Sequence, residues 1–184
     1  MRTYRAADFV DMPWKNGGGR TLQLAIHPDG ATLDTFEWRV SIATVAQSGP
    51  FSAFPGCERT LMLLDGDGFE LDIAGRKVVL GRPLEPVTFR GDAAVQCRLL
   101  GGPSRDFGVI TRGVKATVGV QRVKGIYRHA AAPTTLVACL DGRVEAEGVA
   151  LEALSLSRMD GAGRQITLCG DAMVVLIDIG RNSC

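Results

Sequence analysis

Short β-branched or apolar runs alternate along this chain with glycine-containing turns. Glu37 to Thr44, Arg59 to Leu64, Phe69 to Ile73, Arg76 to Leu80, Ala94 to Leu100, Leu136 to Leu140 and Met173 to Ile179 are predicted as strands on this pattern. The period is plainest in Trp38-Arg-Val-Ser-Ile-Ala43, where alternation puts Trp38, Val40 and Ile42 on one face and Arg39, Ser41 and Ala43 on the other. Asp65-Gly-Asp-Gly68, between two predicted strands, reads as a hairpin turn, because glycine adopts the positive φ that primed turns need. No window longer than about eight residues sustains a helical period. Asp8 to Met12 has room for one turn, and Val149 to Leu156 fits either element. The expected class is all-β with any helix peripheral.

Two internal similarities shape the expected organisation. Arg59-Thr-Leu-Met-Leu-Leu-Asp-Gly66 resembles Thr134-Thr-Leu-Val-Ala-Cys-Leu-Asp-Gly142, and Thr88 to Gly101 resembles Thr167 to Gly180. Two matches in the same order suggest a duplicated unit. The expectation is therefore a chain of two stacked jelly-roll β-barrels, the first over about residues 13–110 and the second, shorter, over about 111–184, since closing a sheet on itself removes exposed edges. Gly101 to Lys124 is expected as the extended crossover between halves.

Composition narrows the partners. With 21 basic and 20 acidic residues the net charge is +1, which gives no field for nucleic acid or an anionic membrane. The start of the chain has no apolar signal core and no apolar run is long enough to span a bilayer, so a cytoplasmic protein is expected, as a monomer or a homodimer. Five cysteines (Cys57, Cys97, Cys139, Cys169 and Cys184) form no C-x-x-C pair, and three lie in apolar strand-like runs, as buried reduced thiols do. His27 and His129 are the only histidines and lie on unlike segments, which fits structural or surface roles better than a metal site; no cofactor and no catalytic residue is expected.

The candidate chemistry is cationic. In Pro13-Trp-Lys-Asn-Gly-Gly-Gly-Arg-Thr21, three glycines suit a sharp turn or a close approach, and the turn would present Trp14, Lys15 and Asn16 to a pocket or leave Lys15 in solvent. Arg39 and Ser41 share a strand face and either meet an anion or lie at a solvent-exposed barrel mouth. Arg59 shares its face with Leu61 and Leu63, so it points inward, where a guanidinium is costly unless paired. Its counter-ion is either Glu58 or Asp65, close in sequence, or a ligand. Phe51 and Phe54 are placed to exclude water, and backbone amides at Gly17 to Gly19 to orient the ligand.

Residues 49–66 resemble a cupin metal-binding strand pair without its ligands. Where cupins carry His-x-His, Phe54 to Cys57 has no histidine, and Arg59 occupies the slot of the metal-binding Glu. Trp14-Lys-Asn-Gly-Gly-Gly-Arg-Thr21, Trp38-Arg-Val-Ser41, Pro50-Phe-Ser-Ala-Phe-Pro-Gly56 with Arg59, and Gly102-Pro-Ser-Arg-Asp-Phe107 together resemble the HutD/Ves family over essentially the whole chain. The resemblance implies a metal-free bicupin-like fold and a ligand-sensing or regulatory role in histidine utilisation, with small carboxylates such as N-formylglutamate or urocanate as ligands. One departure stands out: the family's Arg-Asp-x-Asn pattern ends here in Gly108. The alternatives are a metal-independent isomerase or hydrolase of a small carboxylate, and a structural or partner-binding module.

Overall fold

The computed structural model describes residues 1–181; Cys184 lies outside them. Sixteen strands follow one another: β1 (Arg2–Tyr4), β2 (Val10–Pro13), β3 (Gly19–His27), β4 (Trp38–Val45), β5 (Gly49–Pro50), β6 (Cys57–Asp65), β7 (Phe69–Ile73), β8 (Arg76–Leu80), β9 (Val87–Arg90), β10 (Val95–Leu99), β11 (Ser104–Arg112), β12 (Lys115–Ala130), β13 (Thr134–Ala146), β14 (Val149–Glu152), β15 (Ser155–Asp160) and β16 (Gln165–Gly180). The one helix among the described residues is a 3-10 turn at Ala6–Asp8, and the segment expected to turn after it enters β2 instead. Among the described residues no helix is long and apolar enough to cross a membrane.

The chain forms two compact units, one of Val10–Gly113 and one of Met1–Phe9 with the residues from Val114 onward. The first contains a sheet of order β2-β3-β4-β11-β6-β9 and a smaller one of order β5-β10-β7-β8. Val45, Leu61, Leu63 and Phe89 from the larger sheet pack with Phe69, Leu71, Ile73, Leu80, Val95 and Cys97 from the smaller. The second unit is one sheet of order β1-β15-β13-β16-β12, with β14 also paired to β13. Its buried cluster is aliphatic, with Val137, Cys139, Leu151, Met159, Ile166, Leu168, Ala172, Val174 and Leu176 at its heart. Every described sheet is an open path; among the described residues no pairing joins end strands into a closed barrel.

Three local expectations are corrected. Asp65-Gly-Asp-Gly68 is not a hairpin, because β6 and β7 lie in different sheets and the segment carries the chain between them. Its glycines are needed all the same: Gly66 and Gly68 have φ of 96° and 87°, and a Cβ on Gly66 would stand 2.6 Å from the Ser104 hydroxyl oxygen. Gly101 to Lys124 is extended and holds the passage between the units at Gly113 and Val114, but it is no separate link, since Ser104–Arg112 is the strand between β4 and β6 and Lys115 begins the 16-residue β12. The second internal similarity does not hold strand for strand. Gly91-Asp-Ala93 turns the chain from β9 into β10 of the other sheet, whereas Gly170-Asp-Ala172 lies inside the continuous β16.

Candidate functional site

The inner face of β4, β11 and β6 forms a grid. Antiparallel register places Arg39, Ile110 and Arg59 in one row, Ser41, Gly108 and Leu61 in the next, and Ala43, Asp106 and Leu63 in the third. Side chains alternate across a strand, so all these positions face the same way, and Trp38, Val40, Ile42, Phe107 and Val109 face the other. A cavity of about 560 Å³ lies over this grid.

Loops close the cavity around the grid. Between β2 and β3 the chain turns at Trp14, whose carbonyl accepts from Gly17 N at 3.0 Å, and whose indole donates to Thr21 Oγ1 at 2.8 Å. Gly19 is tied to this turn by space: a Cβ there would stand 2.3 Å from the Thr44 carbonyl oxygen. The segment after β5 is fixed by Phe51 N donating to Val95 O (2.9 Å) and Phe54 N to Gly91 O (2.7 Å), which bring both rings to the cavity. Trp14 and Phe51 meet edge to face, with centroids 6.2 Å apart.

All eight residues singled out in the sequence, Trp14, Lys15, Asn16, Arg39, Ser41, Phe51, Phe54 and Arg59, line this one cavity. The glycine amides do not: Gly17 N is used by Trp14, Gly18 N donates to Asn16 Oδ1 at 3.0 Å, and none of the three glycines is in the lining. Arg39 does not reach solvent; it is 5% exposed, with Nε donating to Gln23 Oε1 at 2.8 Å.

Arg59 is 8% exposed and lies among three rings, those of Phe51, Phe54 and Phe89, at 5.7, 5.3 and 5.3 Å. Such faces attract a cation but do not neutralise it. Its Nη1 donates to the Ser52 carbonyl at 3.0 Å, and its Nε is buried with no partner. The two acids close to it in sequence do not serve it: Glu58 is exposed and opposite Arg90, and Asp65 accepts from Arg105 Nε at 2.9 Å. Burial lowers the Arg59 pKa to about 10, with Asp106 pulling the other way and Arg39 adding to the fall. The group is still a cation at neutral pH.

Asp106 is the site residue that the sequence reading passed over. It is 3% exposed, lines the cavity and makes no side-chain hydrogen bond or ion pair among the described residues. Burial pushes its carboxyl up from 3.8 to about 7, and Arg59 offsets part of that rise. Strand alternation applied to residues 104–112 would have found it, along with Gly108 and Ile110. Gln23 and Met12, which hold Arg39, carry no chemical signal in sequence and meet it only through the pairing of β2, β3 and β4.

The remaining candidates lie elsewhere. His27 stacks on Trp38 at 5.4 Å, and His129 bonds Asp178 in the other unit at 2.8 Å. Cys57 packs with Phe36 and Ile110. Among the described residues no three His, Cys, Asp or Glu side chains gather where a metal ion could be held.

Comparison with known proteins places these features in a wider set. The family model described as HutD matches residues 6–176. A 21.2 kDa protein of Pseudomonas putida, known by its position in the 3′ region of hutC, is 36% identical over 161 residues, spanning 87% of this chain and 84% of its own. The structure of HutD from Pseudomonas fluorescens SBW25, in a formate condition, matches with a TM-score of 0.83 at 36% identity, covering 97% of this chain and 98% of that one. At the level of fold alone, a cupin 2 conserved barrel domain protein from Leptotrichia buccalis matches with a TM-score of 0.56 at 11% identity, over 87% of this chain and 88% of that one.

Proposed function

The chain belongs to the HutD family, and on that premise we propose that it is a cupin-type binding protein for a small carboxylate, acting without a metal as a sensing or regulatory component of histidine utilisation. One observation carries the proposal. Arg59 is a buried cation with no acid in ion-pair contact among the described residues, and it borders a cavity walled by Trp14, Phe51 and Phe54. A carboxylate supplies the missing counter-charge, and a desolvated charged hydrogen bond contributes about 1.5–3 kcal/mol. The cupin-type likeness at fold level, together with the sequence resemblance that puts Arg59 in the slot of a cupin's metal-binding Glu, supports an anion in place of a cation. The hutC neighbourhood of the Pseudomonas putida relative supports the pathway. That the two units are cupin-like halves of a duplicated chain is part of the same reading. It is supported by β6 lying between β9 and β11 as β13 lies between β15 and β16.

The test is thermal unfolding of the wild type and Arg59→Ala with N-formylglutamate, urocanate, glutamate, formate and imidazole-propionate. A ligand at 100 times its Kd stabilises by about 2.7 kcal/mol, and the shift is expected to vanish in a folded Arg59→Ala variant. No shift with any of the five would sink the assignment and leave the partner-binding module.

Asp106 favours a second reading. A buried carboxyl with its pKa near 7 is suited to general acid–base work, so a metal-independent isomerase or hydrolase would use Arg59 to hold the substrate carboxylate and Asp106 to move a proton. Nuclear magnetic resonance distinguishes the two: conversion of a bound compound, lost in Asp106→Asn, makes the protein an enzyme, and binding without conversion leaves it a sensor.

A further inference from the structure

The cavity holds more positive charge than one carboxylate answers. Arg39 and Arg59 occupy one row on either side of Ile110, so their Cα atoms are two strand spacings apart, roughly 9–10 Å. Both side chains line the cavity, and each is less than a tenth exposed. Their partners are neutral: Gln23 Oε1 and Met12 Sδ for Arg39, the Ser52 carbonyl oxygen for Arg59. Among the described residues no ion pair links either arginine to an acid. Asp106, the one acid of the lining among the described residues, stands two rows away at Ala43 and Leu63. With its carboxyl pushed up to about 7, it carries only part of a charge near neutral pH. At the mouth, exposed Lys15 adds a third cation.

Two buried guanidiniums repel each other and have each lost hydration, a state stable only where compensating charge or hydrogen bonds are supplied. A single carboxylate relieves one of them. The space between also fits a longer molecule. Gly108, in the next row, does not have the left-handed φ that calls for glycine, and it leaves the floor open between Ser41 and Leu61. A Cβ there would stand 3.1 Å from Leu61 Cδ2 and 3.7 Å from Ser41 Oγ, so the missing side chain is volume given to the cavity.

We propose that the ligand is a compact dicarboxylate, one carboxylate on Arg59 and the other on Arg39, with its carbon chain over Gly108 and Ile110. The proposal rests on the carboxylate-binding reading and sharpens it: Arg59 makes the site an anion site, and Arg39 sets its preference for a dianion. Ser41, beside Arg39 on the same strand face, offers a hydroxyl to the second carboxylate.

The experiment is isothermal titration at pH 7.5 and constant ionic strength with acetate and butyrate against malonate, succinate, glutarate and adipate. At least one diacid is expected to bind about tenfold or more tighter than the monoacids, a difference of about 1.4 kcal/mol, with an optimum inside the series. Arg39→Gln is expected to erase that preference, bringing the ratio of diacid to monoacid affinity to within about threefold of one. Arg39→Lys, which keeps the charge and loses the planar fork, serves if the Gln variant does not fold, and is expected to weaken the preference. Monoacids binding as well as every diacid, or a diacid preference unchanged in the folded Arg39 variants, overturns the proposal and leaves a monocarboxylate site. A steady rise in affinity with chain length also overturns it, because apolar burial alone then accounts for binding. Binding by no member of the series overturns the carboxylate reading itself, and the dianion proposal with it.

Discussion

The two units bury the same kind of strand and treat their interiors in opposite ways. In Val10–Gly113 the central strands β4, β11 and β6 turn Arg39, Ser41, Arg59, Asp106 and Gly108 inward over an open cavity. In the other unit β16, paired with β12 and β13, turns Ile166, Leu168, Ala172, Val174 and Leu176 inward to a packed aliphatic cluster. Asp178 in this unit and Asp106 in the other show the difference most sharply. Asp178 is satisfied twice, accepting from Thr135 Oγ1 at 2.8 Å and lying 2.8 Å from His129 Nε2. Asp106 has no such partner among the described residues. A polar group buried with its partners is structure, whereas one buried without them is costly and awaits something that the chain does not provide. The hollow unit gives up packing and hydrogen bonding for a site; the filled one does not.

The comparison yields stability predictions of opposite sign. The largest change with pH is expected from Asp106→Asn. Burial lifts the folded-state pKa of Asp106 from 3.8 to about 7, so between about pH 4 and 7 the folded chain holds more protons than the unfolded one. Stability in the absence of ligand therefore falls as pH rises through that window and levels off above it. Asn has no charge to bury, so the variant is expected to lose this slope and to be more stable at pH 8, by up to about 4 kcal/mol. Urea denaturation from pH 4 to 8 measures both quantities, and a slope that persists in the variant would assign it to another group.

Leu168→Ala, in the filled interior, is expected to destabilise by about 2–5 kcal/mol, since a fully buried leucine is removed from a packed cluster. A loss below about 1 kcal/mol in the same assay would mean that this interior collapses around the gap and is not packed as described. Smallest is Asp178→Asn, expected to cost about 1–3 kcal/mol as Thr135 and His129 lose a charged acceptor. Had Asp178→Asn stabilised the protein as Asp106→Asn is expected to, the contrast between a partnered and an unpartnered acid would fail.

Period-2 alternation and turn chemistry are properties of neighbouring residues, so the chain carries them on its own. They identify an all-β protein, give Phe69–Ile73 and Arg76–Leu80 to the residue, put Arg39 and Ser41 on one strand face, and turn Arg59 inward. The motifs with unusual chemistry, a triple glycine beside Trp14 and an arginine in an apolar strand, likewise stand out without coordinates. What the chain alone does not contain is which strand lies beside which. Residues 101–124 look like a link because they join two similar halves, yet Ser104–Arg112 is threaded between β4 and β6, and that placement makes Asp106 and Gly108 the floor of the cavity. The same holds for the Arg105–Asp65 pair, 40 residues apart, which removes from Arg59 an acid that sequence proximity offered it. Register is set by non-local hydrogen bonds and by which faces exclude water together, so the neighbours of Arg59 follow from the assembled sheet and not from its position in the chain.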